Sequence, residues 1–154
     1  LTDAVAVPGF RGRPRPDRGA PCVTQEARSG SCACGAIRYR IALPPIWVAH
    51  CHCSMCRRAQ GAAFVTWVGA SEATFALEAG VELLRRHASS PPAVRSFCGR
   101  CGTPLFFQST RWPGEIHVTL ATLDSAEGLD PREHVHWADR VAWVHCDDAL
   151  PRSD

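Results

Sequence analysis

Nine cysteines in a chain of 154 residues constrain this protein more than any other feature of its sequence. An odd number of cysteines cannot pair completely as disulfides, and separations of two or three residues are typical of metal ligands. The sequence therefore predicts a protein that uses its cysteines to bind metal. The clustered cysteines are Cys32 and Cys34, then Cys51, Cys53 and Cys56, and finally Cys98 and Cys101.

Hydropathy and net charge indicate in which compartment this protein is expected and which partners it is expected to bind. No run of the sequence approaches the roughly 18 apolar residues that span a bilayer, and its start lacks the apolar stretch of a secretory signal. We therefore expect a soluble, cytoplasmic protein without membrane contact, whose thiols stay reduced. The 17 basic residues, all of them arginine, and the 15 acidic residues leave a formal net charge of only +2. This small balance indicates no particular partner. We expect no nucleic acid partner, and the oligomeric state stays open.

Residues 1–28 differ in amino-acid composition from the rest of the chain. They mix proline, glycine and arginine and lack any apolar periodicity. Such a segment buries too little apolar surface to offset the entropy of ordering it, so we predict a flexible arm. A contact with nucleic acid or a protein partner is the weaker interpretation of its arginines, and a solvated extension is the stronger one. The metal-binding domain is expected to occupy residues 29–151.

Short alternating segments follow the arm and predict a mainly β fold. In residues 36–41, apolar residues fall at every second position and Arg38 and Arg40 point the other way, as in a half-buried strand. Similar short runs, rich in β-branched and aromatic residues, give eight or nine strands in total. One or two short helices are expected, at 54–60 and 125–133. The further predicted strands are 46–50, 64–68, 74–77, 81–84, 94–97, 105–107, 116–120 and 141–144.

The first and third cysteine clusters together predict a closed metal site. Residues 98–102 read CGRCG, the form of a zinc knuckle, in which the glycines permit a tight turn and both thiolates converge on one ion. Two cysteines supply half of a tetrahedral shell, and Cys32 with Cys34 complete it. A shell of four thiolates has no vacancy and is typical of a structural zinc.

The middle cluster predicts a different, open metal site. Cys51, Cys53 and Cys56 can surround one ion but leave the fourth tetrahedral position for water, a protein side chain or a substrate, as in catalytic zinc sites. His52 lies between two of the cysteines, where an extended backbone would point its ring away from them. His50 is the better candidate to close the site.

The ligand chemistry of three thiolates favours a thiol substrate. Three anionic sulfurs donate charge to zinc and make it a poorer Lewis acid than three neutral histidines would, so activation of water for hydrolysis is disfavoured. A soft thiol suits the open position better, since zinc would hold it as a thiolate for attack on an electrophile. The alternative is a zinc-stabilised binding module without catalysis, in which His50 closes the second site.

Three stretches around the clusters resemble the glutathione-dependent formaldehyde-activating enzyme family, which also includes centromere protein V. They are GSCACGAI at residues 30–37, CHCSMCR at 51–57 and FCGRCGTPL at 97–105. Residues 121–124 and 134–143 also look like sequences of this family, and the resemblance covers about residues 29–151. Three ordered clusters with their glycines are far more specific than a single pair of cysteines.

The resemblance implies a β-tent fold, in which several short antiparallel sheets converge on two Zn²⁺ ions per chain. It also implies a carbon–sulfur lyase similar to S-(hydroxymethyl)glutathione synthase, which condenses formaldehyde with glutathione. The expected partners are accordingly a small thiol such as glutathione and an aldehyde. The family assigns Cys32, Cys34, Cys98 and Cys101 to a structural zinc, and Cys51, Cys53 and Cys56 to a catalytic zinc.

Several other residues have two interpretations each. Arg57 and Arg58 could hold the carboxylates of glutathione, although a solvated helix face is the more common role of such a pair. Phe64 and Trp67 could line a pocket, although aromatic residues on strands are more often core. Residues expected at the surface or with satisfied hydrogen bonds are His117, His134, His136 and His145, and the cysteines outside the clusters are Cys22 and Cys146.

Overall fold

The computed structural model describes residues 26–154 of the chain. This part has eleven strands, one α-helix (α1, Ser54–Gln60) and three short 3-10 turns at Val81–Leu83, Leu120–Thr122 and Trp137–Asp139. The strands are β1 (Ala27–Ser31), β2 (Arg38–Ala42), β3 (Trp47–Cys51), β4 (Val65–Ser71), β5 (Ala76–Ala79), β6 (Leu84–Ser90), β7 (Ala93–Cys98), β8 (Pro104–Ser109), β9 (Glu115–Thr119), β10 (His134–Val135) and β11 (Arg152–Ser153).

The strands form two sheets. The small sheet has the order β1-β2-β5, and the large sheet has the order β11-β10-β3-β4-β9-β8-β7-β6. All pairs are antiparallel except those that β10 makes with β3 and β11, which are parallel. The mainly β, antiparallel architecture predicted from the sequence is therefore confirmed.

Alternation along the strands gives the large sheet two different faces, because successive side chains of a strand point to opposite sides. One face packs with the small sheet into the main core, where hydrophobic burial supplies most of the folding free energy. Fully buried side chains of this core include Tyr39 and Ile41 of the small sheet and Val68, Phe106, Ile116 and Val118 of the large sheet.

The other face of the large sheet carries a smaller apolar cluster with an open space above it. Three of the clustered cysteines, Cys51, Cys53 and Cys56, pack there with Val65 and Trp67. Trp67 and Val68 are neighbours on β4 yet lie in different clusters. The central strands thus contribute to the main core with one set of side chains and to the candidate site with the other.

Three of the predicted local structures are wrong: the helix at 125–133, the strand at 141–144, and the strand at 81–84, where Val81–Leu83 form a 3-10 turn. Residues 125–133 do not form a helix, since Asp130 precedes Pro131, a position where helical backbone is disfavoured. The end of the segment instead pairs with β3, where Arg132 N donates to Val48 O and His50 N donates to Glu133 O. Residues 141–144 form a turn closed by a hydrogen bond from Val144 N to Val141 O, rather than a strand. In all three segments the backbone hydrogen bonds give a conformation that the residue pattern does not indicate.

Four strands, namely β1, β6, β10 and β11, are not predicted from the sequence because their residues lack apolar alternation. β6 begins only after the 3-10 turn at Val81–Leu83, and it reads LRRHASS because an edge strand of the sheet carries polar residues. The predicted arm lies outside the described residues over 1–25, and Ala27 and Arg28 belong to β1. In residues 26–154, none of the helices has the length and apolar character needed to cross a membrane.

Candidate functional site

The four-cysteine cluster lies where the two sheets approach each other. Cys32 and Cys34 follow β1, Cys98 ends β7, and Cys101 lies in the turn before β8. Their four Sγ atoms lie within 4.8 Å of one another. The Sγ atoms of Cys32 and Cys34 are 3.4 Å apart and those of Cys34 and Cys98 are 3.9 Å apart. Four sulfurs at about 2.3 Å from one zinc would be about 3.8 Å apart, so this group fits tetrahedral zinc.

Two similar turns place these cysteines. Gly35 N donates to Cys32 O and Gly102 N donates to Cys98 O, each at 2.8 Å. Both glycines have positive φ, 71° and 77°, which a residue with a Cβ rarely adopts. In the first turn, Ile37 N also donates to the Sγ of Cys32 at 3.3 Å. The knuckle predicted from the spacing at 98–102 is thus present, together with a second such turn after β1.

The three-cysteine cluster lies on the other face of the large sheet. Cys51 ends β3, Cys53 precedes α1, and Cys56 lies on its first turn. Their Sγ atoms lie within 4.8 Å of one another, and each residue is less than 9% exposed. This donor group fits a zinc ion held by three thiolates with a fourth position left over.

Arg95 of β7 contacts this cluster from across the sheet. Its Nη2 donates to the Sγ of Cys56 at 3.4 Å, and its guanidinium lies 4.9 Å from the ring centre of Phe107. The other terminal nitrogen, Nη1, is buried without a hydrogen-bond partner in the described part of the chain. The cluster therefore has a cation beside its thiolates and a free donor on that cation.

Contacts within the cluster favour a thiolate at Cys56. The hydrogen bond from the Cys51 thiol, aided by the hydrogen bond and charge of Arg95, lowers the pKa of Cys56 to about 5 despite its burial. The same bond to Cys56, followed by burial, raises the pKa of Cys51. A negative charge at Cys56 is thus stabilised by the protein itself, which prepares the cluster to ligate a cation.

A cavity of about 830 Å³ opens directly onto the three cysteines. Its walls carry four aromatic side chains, namely Trp47, Trp67, Phe107 and Trp112, together with Arg95 and Arg111. The four-cysteine cluster does not line this cavity. The three-cysteine cluster is therefore accessible to a small molecule through the cavity, whereas the four-cysteine cluster lies away from it.

His50 and His52, which lie next to the three-cysteine cluster in sequence, contribute no ligand atom to it. His50 Nδ1 lies 2.8 Å from Thr66 Oγ1, and His50 is not in the group formed by the three cysteines. The ring of His52 turns away, and its Nε2 lies 2.8 Å from Nδ1 of His134. The described residues therefore give no support to a site closed by His50.

The other residues singled out in the sequence divide between the cavity and distant positions. Trp67 lines the cavity, whereas Phe64 packs on His50. Arg57 and Arg58 line a separate recess of about 460 Å³, and Arg57 Nε donates to His52 O. These two arginines thus lie outside the cavity, and a role in holding a substrate of the three-cysteine cluster has no support from their positions.

The remaining histidines and cysteines named in the sequence analysis differ in burial and in their neighbours. His117 is buried and lines the cavity, and its Nε2 lies 3.2 Å from Glu115 Oε2. Burial lowers the pKa of His117, and the opposing effect of Glu115 is smaller. His134 is buried and bonded, as expected, whereas the exposed His136 lines the cavity. Cys146 lies near His52 and His134, and Cys22 is outside the described residues.

Sequence reasoning missed Arg95, Trp47 and Trp112 as parts of the site. Arg95 is one of 17 arginines, and it lies 39 residues from Cys56 in sequence. The only available signal was its place in the predicted strand 94–97, whose alternation puts it on one face with Phe97. No sequence rule identified that face as the one that meets the cysteines.

Changing Arg95 to glutamine is expected to weaken zinc binding by the three-cysteine cluster about 10–100-fold, since hydrogen bonds to metal ligands typically have effects of this size. Competition with a chelator measures the affinity. Arg38→Gln, at an exposed position of β2 in the small sheet, is the control and should leave both zinc affinities unchanged. Equal affinities of wild type and Arg95→Gln would show that Arg95 does not stabilise the thiolates.

Comparisons with known proteins identify the family of this chain. A protein of Halomonas elongata, provisionally named as a glutathione-dependent formaldehyde-activating enzyme, is 32% identical over 127 residues, covering 75% of this chain and 78% of that protein. The crystal structure of a Rhodobacter sphaeroides protein matches with a TM-score of 0.53 and 29% identity, over 68% of this chain and 92% of that one. The sequence profile described as glutathione-dependent formaldehyde-activating enzyme matches residues 27–139. The chain therefore belongs to the glutathione-dependent formaldehyde-activating enzyme family.

Proposed function

We propose that this protein is a zinc-dependent carbon–sulfur lyase that joins a small thiol, such as glutathione, to an aldehyde, and releases them in the reverse direction. The observation that carries the proposal is the group of three cysteine sulfurs at the base of the 830 Å³ cavity, without a fourth protein donor among the described residues. The names of the family and of the Halomonas relative support glutathione and formaldehyde as the pair.

Zinc held by Cys51, Cys53 and Cys56 would supply a position at which a substrate thiol binds as its thiolate. The three cysteine thiolates exceed the charge of Zn²⁺ by one, and Arg95 offsets this excess. Because the cysteines already donate much charge, the arrangement suits a soft sulfur better than it suits hydroxide. The cavity would admit the thiol from the side opposite to the main core.

The reaction itself requires no oxidation or reduction. The sulfur of the thiolate attacks the aldehyde carbon, a C–S bond forms, and the π electrons of the C=O bond move to oxygen, which then takes up a proton. Arg95 lines the cavity and contacts Cys56, so its positive charge would stabilise this oxygen as negative charge develops there. His117, His136 and Glu133 line the same cavity and can exchange the proton.

The direct test asks whether a substrate sulfur enters the three-cysteine site. Cadmium-113 NMR of the cadmium-substituted protein resolves the two cysteine sites as separate signals. With glutathione, the signal of the three-cysteine site is expected to move to the range of four-sulfur ligation, while the four-cysteine signal stays in place. S-methylglutathione, which has no free thiol, is the control ligand and should move neither signal.

Two results would contradict the proposal. If glutathione leaves both cadmium signals unchanged, the thiol does not bind at the open position. If it binds but exchange NMR detects no faster interconversion of formaldehyde, glutathione and S-hydroxymethylglutathione, the site binds thiols without catalysing this reaction. A series of small thiols and aldehydes in the same exchange assay identifies the preferred pair.

A further inference from the structure

A third group of metal-ligand side chains lies apart from both cysteine clusters. His52, His134 and Cys146 each place one ligand atom within 4.8 Å of the other two. His52 lies between β3 and α1, His134 begins β10, and Cys146 lies in the segment before β11. We propose that these three residues form a third metal-binding site, for a borderline divalent cation such as Zn²⁺ or Co²⁺.

Asp148 fixes the tautomer of His134. The two carboxylate oxygens of Asp148 lie 3.1 and 3.0 Å from Nε2 of His134, so in the neutral ring Nε2 carries the proton and donates it. Nδ1 of His134 then accepts a hydrogen bond from Nε2 of His52 at 2.8 Å. A bound cation would take the place of this proton, and the two nitrogens would move to about 3.4 Å from each other across it. A histidine whose far nitrogen donates to a carboxylate is the usual arrangement of metal-binding histidines.

His52 is buried without a complete set of hydrogen bonds. Its exposed fraction is 0%, and its ring packs between Phe64 and Trp137, with ring centres 5.3 and 5.0 Å away. In the described part of the chain, its Nδ1 has no hydrogen-bond partner. Burying a polar ring that is only partly bonded costs free energy. A cation shared with His134 would bind at Nε2 of His52 and would replace the hydrogen bond between the two rings with a stronger interaction.

The donor types and charges indicate the class of metal. Two imidazole nitrogens and one thiolate favour zinc, cobalt or copper over magnesium or calcium, and three protein ligands leave a position for water. The thiolate of Cys146 and the carboxylate of Asp148 together balance a divalent charge. This balance limits the repulsion from Arg57 and Arg140, whose charges act on His52. Cys146 is only partly buried, which gives the ion a path from solvent.

Metal content tests the proposal. After equilibration with Zn²⁺ and desalting, the wild-type protein should contain about three zinc ions per chain, whereas Cys146→Ser and His134→Ala should contain about two. His145→Ala, which changes the exposed histidine next to Cys146, is the matched control and should keep three. In the cobalt-substituted protein, the difference spectrum between wild type and Cys146→Ser should show a thiolate-to-cobalt charge-transfer band.

Asp148→Asn supplies a second test that leaves the three ligands in place. It should lower the affinity of the third site about 10–100-fold without changing the other two. If removal of the buried His134 unfolds the protein, Cys146→Ser and Asp148→Asn decide the question, since both residues are partly exposed. Two zinc ions in the wild type, or no loss of metal in Cys146→Ser, would overturn the proposal.

Discussion

Replacing Cys98 by serine is expected to destabilise the whole fold. Cys98 has an exposed fraction of 0% and lies in the group that joins the turn after β1 to the turn after β7. Structural zinc sites contribute about 10–16 kcal/mol of apparent binding free energy in small zinc domains, comparable to the total of about 5–15 kcal/mol that stabilises a typical protein. Weakening such a site should therefore remove much of the free energy of unfolding.

The measurement is thermal unfolding followed by circular dichroism, together with zinc content. A loss of about 4 kcal/mol or more corresponds to a Tm lower by roughly 8–16 °C for a chain of this length. Cys22→Ser, which changes a cysteine outside every cluster in the sequence, is the control and should keep the wild-type Tm. A Cys98→Ser protein with unchanged Tm and zinc content would show that the four-cysteine group is not a structural metal site.

Replacing Cys53 by serine is expected to abolish catalysis while the protein stays folded. Cys53 lies in the loop before α1 and faces the cavity, and its removal leaves only two thiolates for the ion. Metal-ion catalysis contributes several kcal/mol to a reaction, and each 1.4 kcal/mol corresponds to a tenfold change in rate. The exchange rate between formaldehyde, glutathione and their adduct should therefore fall by roughly three orders of magnitude.

Exchange NMR gives this rate, and metal analysis should show the loss of one zinc ion. The free energy of unfolding should fall by less than about 2 kcal/mol, in contrast to Cys98→Ser. Ser54→Ala, at the exposed next residue, is the matched control and should keep both the metal and the activity. If Cys53→Ser retains the wild-type rate after losing its zinc, the three-cysteine site is not the site of the reaction.

Much of the candidate site could be predicted because cysteine spacing is a local property. Cys98 and Cys101 lie in one tight turn, and their glycine neighbours can be read in the sequence together with them. The division into a group of four and a group of three follows from counting ligands, since a tetrahedral ion needs four. The structure brings together the same two groups.

Long-range neighbours of these cysteines could not be predicted in this way. Arg95 reaches Cys56 only because α1 packs on the face of the large sheet to which this side chain of β7 points. The contact of His134 with His52 likewise depends on the parallel pairing of β10 with β3, over 82 residues of sequence. Neither pair has a spacing or composition that would distinguish it from the other arginines and histidines.

The apolar patterns show the same limit at the level of strands and turns. Residues 36–41 alternate clearly and contribute to β2, because one face of that strand is buried in the main core. Residues 125–133 are predicted as a helix, yet Arg132 N and Glu133 O at the end of this segment pair with β3. A periodic pattern predicts burial of one side, but the partner that satisfies the backbone determines the conformation.

The sequence by itself determined the family, the mainly β class and the two groups of cysteines, because each depends on residue types at short and fixed spacing. Only the tertiary structure decided that the three-cysteine group opens onto a cavity, that Arg95 lies beside it and that His50 is bonded elsewhere. The physical reason is that accessibility and charge at a site arise from segments far apart in sequence, which meet only through the pairing of strands and the packing of the sheet faces.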